Sequence, residues 1–124
     1  MALNYVNECT ASLGVTNLDA AVEWYQTVLN FQLLYRMDEI GWCELATFMP
    51  GVNIGLSQLE TVSVGGGATV VWGVTDIDAA KAHLDAHGVR QDGAIQVIPE
   101  MVKLITFYDP DGNTLMLSQN LTTG

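Results

Sequence analysis

The chain has 124 residues, 49% of them hydrophobic and 15% charged, so one compact domain with a real apolar core is expected rather than a disordered chain. Its 14 acidic against 4 basic side chains give a formal charge of -10, a surface that repels nucleic-acid phosphates and anionic lipid and so argues against either as a partner. No apolar run reaches the length of a membrane span, and Met1 to Thr10 lacks the basic-then-apolar plan of a signal peptide, which predicts a soluble, cytoplasmic protein.

In chain order, Glu8 to Val15 alternates as a strand, with Cys9, Ala11, Leu13 and Val15 on one face and Glu8, Thr10, Ser12 and Gly14 on the other. Thr16 followed by Asp19 is the Thr-x-x-Asp signature of a helix start, the hydroxyl capping a free N–H and the carboxylate suiting the positive helix end. Leu18, Ala21, Val22, Tyr25 and Leu29 then form an apolar stripe at helical spacing, which Asn30 ends. Phe31 to Met37, Trp42 to Met49 and Val52 to Gln58 read as strands, and Leu59 to Gly67, closing on three glycines, reads as a linker. The glycines are not a phosphate loop, because no Lys-Ser/Thr follows them and Ala68 to Trp72 continues as a strand.

The stretch Gly14-Val15-Thr16-Asn17-Leu18-Asp19-Ala20-Ala21 then recurs as Gly73-Val74-Thr75-Asp76-Ile77-Asp78-Ala79-Ala80, a shift of 59 residues. Ile77, Ala80 and Leu84 mark the second helical stripe, which Gly88 ends, and Ala94 to Ile98, Val102 to Tyr108 and Thr114 to Gln119 follow as strands. The same shift lays Leu45, Thr47 and Phe48 onto Leu104, Thr106 and Phe107, and two extra residues bring Leu56-Ser57-Gln58 onto Leu117-Ser118-Gln119. The fold expected is therefore α+β, one domain of two β-α-β-β-β modules at about 4–60 and 68–120 with a linker at about 61–67. Asp109-Pro110-Asp111-Gly112-Asn113 has the chemistry of a tight turn more than of an ion loop.

Few residues suggest chemistry. Cys9 and Cys43 lie in no metal-type or redox-type spacing and fall on the apolar side of their strands, as small hydrophobes do. His83 and His87, i and i+4 on the second helix, lie off its apolar stripe with no third ligand, and read as a solvated face.

Together the two modules, the repeated Val-Thr-Asn/Asp-Leu/Ile-Asp-Ala-Ala helix start, Trp24-Tyr25 in the first helix and the closing Tyr108 to Asn113 resemble the vicinal-oxygen-chelate superfamily, which includes glyoxalases, extradiol dioxygenases and bleomycin-resistance proteins. The resemblance implies sheets curled around a cleft with the helices outside. It places the family's metal ligands at Thr10, Gly55, Thr69 and Met116, where His, Gln or Glu is usual. A hydroxyl, a missing side chain and a thioether bind a divalent ion poorly, so no metal and no other cofactor is expected.

Around Thr10, Thr69 and Met116, which the resemblance places at the cleft, alternation and the repeat add Ser12, Trp42, Glu44, Phe48, Met101, Lys103 and Phe107, with Glu44 and Lys103 as symmetry-related opposites. Glu8 and Glu44 are the weak candidates for a catalytic base. The leading expectation, from resemblance to the metal-free bleomycin-resistance proteins, is a homodimer that binds an aromatic or drug-like small molecule, with resistance by sequestration as the role that resemblance suggests. The alternatives are a glyoxalase-like lyase, isomerase or dioxygenase-related enzyme, and a domain that only scaffolds a partner.

Overall fold

The computed structural model describes residues 3–65 and 67–122 and divides into two compact units, Met1–Val62 and Ser63–Gly124. The first unit contains strand β1 (Cys9–Val15), helix α1 (Leu18–Leu29), β2 (Gln32–Met37), a single 3-10 turn (Asp38–Ile40), β3 (Trp42–Ala46) and β4 (Val52–Gln58). The second contains β5 (Val70–Gly73), α2 (Ile77–Ala86), β6 (Gln96–Ile98), β7 (Val102–Tyr108) and β8 (Thr114–Asn120). Their four-stranded sheets have the same order, β1-β4-β3-β2 and β5-β8-β7-β6, with the first pair parallel and the others antiparallel. The expected α+β architecture of two β-α-β-β-β modules is what the chain forms.

In each unit the core lies where one sheet face meets the helix. In the first, Leu18, Ala21, Val22, Tyr25 and Val28 of α1 are buried together with Val15, Phe31, Cys43, Leu45, Ile54 and Leu56. Ala11 pairs with Ile54 and Leu45 with Ile54, and Leu13 and Cys43 both pair with Leu56, which sets these apolar residues in rows on one face. Trp72, Ile77, Leu84, Val89, Ile105, Phe107, Leu115 and Leu117 form the second core.

The repeated segments have a mechanical reason. Each helix is capped by the residue after the repeated threonine, not by the threonine: the Asn17 side chain accepts from Ala20 N–H and the Asp76 side chain from Ala79 N–H. A second cap comes from the repeated Leu-Ser-Gln. Gln58 Oε1 accepts from Leu18 N–H and Gln119 Oε1 from Ile77 N–H, each at 2.8 Å. Glutamines at the ends of β4 and β8 thereby satisfy a free donor at the start of the helix in their own unit, tying helix to sheet. At the other end of α1, Asn30 takes the left-handed conformation at φ 60 and ψ 29.

The Asp109 to Asn113 segment is the expected tight turn. Asp109, only 4% exposed, accepts at Oδ1 from the Asp111 and Asn113 backbone N–H groups, and at Oδ2 from the Asn113 side chain. Replacing Asp109 with alanine strands those donors and is expected to cost about 2 kcal/mol. Urea unfolding of the variant measures this, and undiminished stability would mean that the turn's backbone bonds suffice.

Candidate functional site

The face of the first sheet that turns away from α1 carries the candidate site. Strand pairing places Ser12, Gly55, Glu44 and Tyr35 in one row across β1, β4, β3 and β2, with Thr10 and Asn53 in the row on one side and Ser57, Trp42 and Met37 in the row on the other. Tyr35 reaches this face because of a bulge. Leu33 pairs with Leu45, Leu34 is left over, and pairing resumes with Tyr35 opposite Glu44.

These side chains form one directed network. Trp42 Nε1–H donates to Tyr35 Oη at 3.1 Å, Tyr35 O–H donates to Glu44 Oε1 at 3.1 Å, and Asn53 Nδ2–H donates to Glu44 Oε2 at 2.8 Å. Every donor points toward Glu44, so the carboxylate is held by both oxygens and serves as acceptor only. The indole of Trp42 covers Gly55, where an added Cβ would fall 2.0 Å from Trp42 Cη2. A side chain at Gly55 and the observed position of Trp42 therefore exclude one another. The hydrogen bond to Tyr35 and the missing Cβ at Gly55 together fix the indole over that glycine.

The open face of the second sheet has different chemistry. Met116 lies between Val71 of β5 and Thr106 of β7, with Thr114, Ser118, Leu104 and Tyr108 on the same face. The Arg90 guanidinium sits 4.1 Å from the centre of the Tyr108 ring, a cation–π contact.

Of the residues expected in the site, Thr10, Ser12, Trp42 and Glu44 share the open face of the first unit and Met116 occupies that of the second. Lys103 and Phe107 do not. They stand in alternation with Ile105 on the helix-bearing face, where Phe107 is fully buried and Lys103 Nζ is 3.9 Å from Asp78 at the start of α2. The reason is register. Cys43 pairs with Leu56 and Ile105 with Leu117, so β3 corresponds to β7 at a shift of 62, not 59, and the odd difference of three moves each side chain to the other face. The counterpart of Glu44 is Thr106, and the expected Glu44–Lys103 opposition is corrected.

Phe48 and Met101 are likewise removed from the strands that were to carry them. Strand β3 ends at Ala46 and β7 begins at Val102, leaving both in turns and more than half exposed. Thr69 precedes β5 and Glu8 precedes β1, both exposed, so Glu44 is the candidate carboxylate that neighbours hold in place. Tyr35 and Asn53 were not foreseen. Asn53 was accessible from alternation with Gly55, but Tyr35 depends on the bulge at Leu34.

The family's metal positions do not fit a metal here. Thr10 and Thr69 offer exposed hydroxyls, Met116 a thioether, and the space that a ligand at Gly55 would need is filled by Trp42. Among the described residues no group of three or more His, Cys, Asp or Glu side chains is placed to hold a metal ion. His83 and His87 are exposed with ring centres 4.6 Å apart. Burial pushes the Cys43 thiol up, so it remains a thiol packed as a small hydrophobe, while Cys9 is exposed at the start of β1. No helix among the described residues is long and apolar enough to cross a membrane.

A family model described as the glyoxalase/bleomycin resistance protein/dioxygenase superfamily matches residues 3–117. No curated protein sequence matches the chain. Among solved structures, TnmS3, an antibiotic binding protein from Streptomyces sp. CB03234, is 25% identical with a TM-score of 0.73, over 97% of this chain and 98% of that one. TioX from Micromonospora sp. ML1 is also 25% identical with a TM-score of 0.73, over 92% of this chain and 98% of that one. The fosfomycin resistance protein FosX from Listeria monocytogenes shares the fold, with a TM-score of 0.77 at 16% identity over 90% of each chain.

Proposed function

The chain belongs to the glyoxalase/bleomycin resistance protein/dioxygenase superfamily, and from that premise we propose that it is a metal-independent binding protein for an aromatic or drug-like small molecule. The observation that carries this reading is the Trp42 indole lying where a side chain of Gly55 would stand. A position the family uses for a metal ligand carries instead an oriented aromatic surface beside a hydrogen-bonded carboxylate. Such a surface suits recognition of a planar ligand, through apolar contact on the ring and polar contact at its edge.

TnmS3, an antibiotic binding protein of the same fold at 25% identity, supports binding as the activity, and sequestration of a toxic compound is the role that fits it. Thr10, Ser12, Tyr35, Trp42, Glu44 and Asn53, all on the open face of the first sheet, are the proposed contact residues. The functional unit is proposed to be a homodimer located in the cytoplasm, and light scattering on the purified protein tests the dimer.

Two titrations of protein purified without chelator test the reading. Zinc, nickel and manganese are expected to leave the melting temperature unchanged. A panel of planar aromatic antibiotics is expected to contain a compound that raises it, since a ligand of the native state stabilises by mass action, by about 2.7 kcal/mol at a hundredfold excess over Kd. Tight stoichiometric metal binding together with a silent panel would instead favour a metal-dependent enzyme.

A further inference from the structure

We infer that the open face of the first sheet recognises a cationic ligand, a planar aromatic carrying a fixed positive charge or a protonated amine, with Glu44 as its counter-ion. This rests on the binding reading above and narrows its ligand class.

The argument begins with a census of positive charge. The chain has four basic side chains, and each is engaged away from Glu44. Arg36 bridges Asp19 at 2.7 Å and Asp38 at 2.8 Å. Lys81 donates to Gln91 at 2.7 Å and pairs with Asp85 at 3.6 Å. Arg90 lies on the Tyr108 ring and Lys103 faces Asp78. Among the described residues no lysine or arginine is paired with Glu44.

Glu44 nevertheless differs from the other acidic side chains of this surface. It stands half-buried in mid-sheet, where Tyr35 and Asn53 each donate to one of its oxygens. Those two neutral donors orient the carboxylate without cancelling its charge. Each oxygen keeps a free lone pair, and the Trp42 indole, joined to the carboxylate through the Tyr35 hydroxyl, lies beside it. A carboxylate beside an indole is a recognition pair for a cation: the ring quadrupole attracts the positive charge over its face and the carboxylate supplies the ion pair at the edge. A neutral aromatic would use the ring alone, and an anion would be repelled. The formal charge of -10 acts in the same direction at longer range, raising the local concentration of cations.

Isothermal titration calorimetry at pH 8 and low salt, with 1-methylquinolinium and its neutral analogue 4-methylquinoline, tests this. The cation is expected to bind at least about tenfold more tightly than the neutral compound, and its advantage to shrink at 0.5 M salt. In Glu44→Gln, which keeps side-chain size but removes the charge and turns one accepting oxygen into a donor, most of the cation's advantage is expected to be lost. The salt comparison on unaltered protein stands even where that variant folds poorly. Equal affinities in unaltered protein, or a cation advantage undiminished in Glu44→Gln, would overturn the charge assignment and leave the binding reading intact. Failure of both compounds to bind at millimolar concentration would sink the aromatic-binding reading, and the charge assignment with it.

Discussion

Replacing Phe107 with alanine is expected to destabilise the protein by about 3–5 kcal/mol, the usual cost of removing a large ring from a packed core. Phe107 is fully buried, pairs with Leu115 on β8, which is also fully buried, and forms an isolated bridge with Gln91. With a few kcal/mol of net stability usual for a small domain, a loss of this size brings the second unit close to unfolding. Urea unfolding monitored by circular dichroism measures it. The experiment also decides between two registers. Had a shift of 59 held through β7, Phe107 would line the open face, and its removal would weaken ligand binding while sparing the fold. A stable variant with impaired binding would restore that register; an unstable one supports the shift of 62 given by the pairing of Ile105 with Leu117.

Replacing Gly55 with alanine is expected to be the more telling change for function. The new methyl would lie 2.0 Å from Trp42 Cη2 and 2.6 Å from Cζ2, so the indole must lift or the strand must shift. Either movement strains the Nε1–H bond to Tyr35, and with it the chain of donors that ends on Glu44. Overpacking of this kind costs about 1–3 kcal/mol. Because the ring is the proposed contact surface, affinity for aromatic ligands is expected to fall by about tenfold or more, equivalent to about 1.4 kcal/mol. Ligand titration beside urea unfolding separates the two effects. A variant that binds as before would remove Trp42 from the site. The double change Gly55→Ala with Trp42→Phe relieves the clash with a smaller ring and is expected to recover stability more fully than affinity.

Much of the fold was legible because its signals are local. The repeated eight residues carry a helix start, read one residue early at Thr16 and Thr75, whose cap is made by Asn17 or Asp76 with the amide three positions on. Asn30 ends the first helix with a conformation that asparagine tolerates. The Asp109 turn is built from bonds within five residues. The purpose of the repeated Leu-Ser-Gln was not legible, since Gln58 lies 40 residues from Leu18, whose amide it caps.

The strand faces that carry the candidate residues were legible in the first unit and misread in the second. Alternation alone put Thr10 with Ser12 and Trp42 with Glu44, because a continuous strand keeps its period of two. Relating β3 to β7 required knowing where the repeat gains residues, and a slip of three over that interval put Met101 and Lys103 in the places of Leu104 and Thr106 as counterparts of Trp42 and Glu44. Tyr35 was out of reach for a similar reason, since only the unpaired Leu34 turns it toward Glu44.

By itself, then, the sequence determined the two-module plan, the helix boundaries to within a residue or two, and the turns, all properties of local chemistry and spacing. The tertiary structure alone decided which face each residue of β2 and β7 presents, and that Trp42 fills the space over Gly55. Those outcomes rest on strand register, and register is chosen by the fit of whole strands against one another, with a bulge or a three-residue offset enough to turn a side chain from the core to the open face.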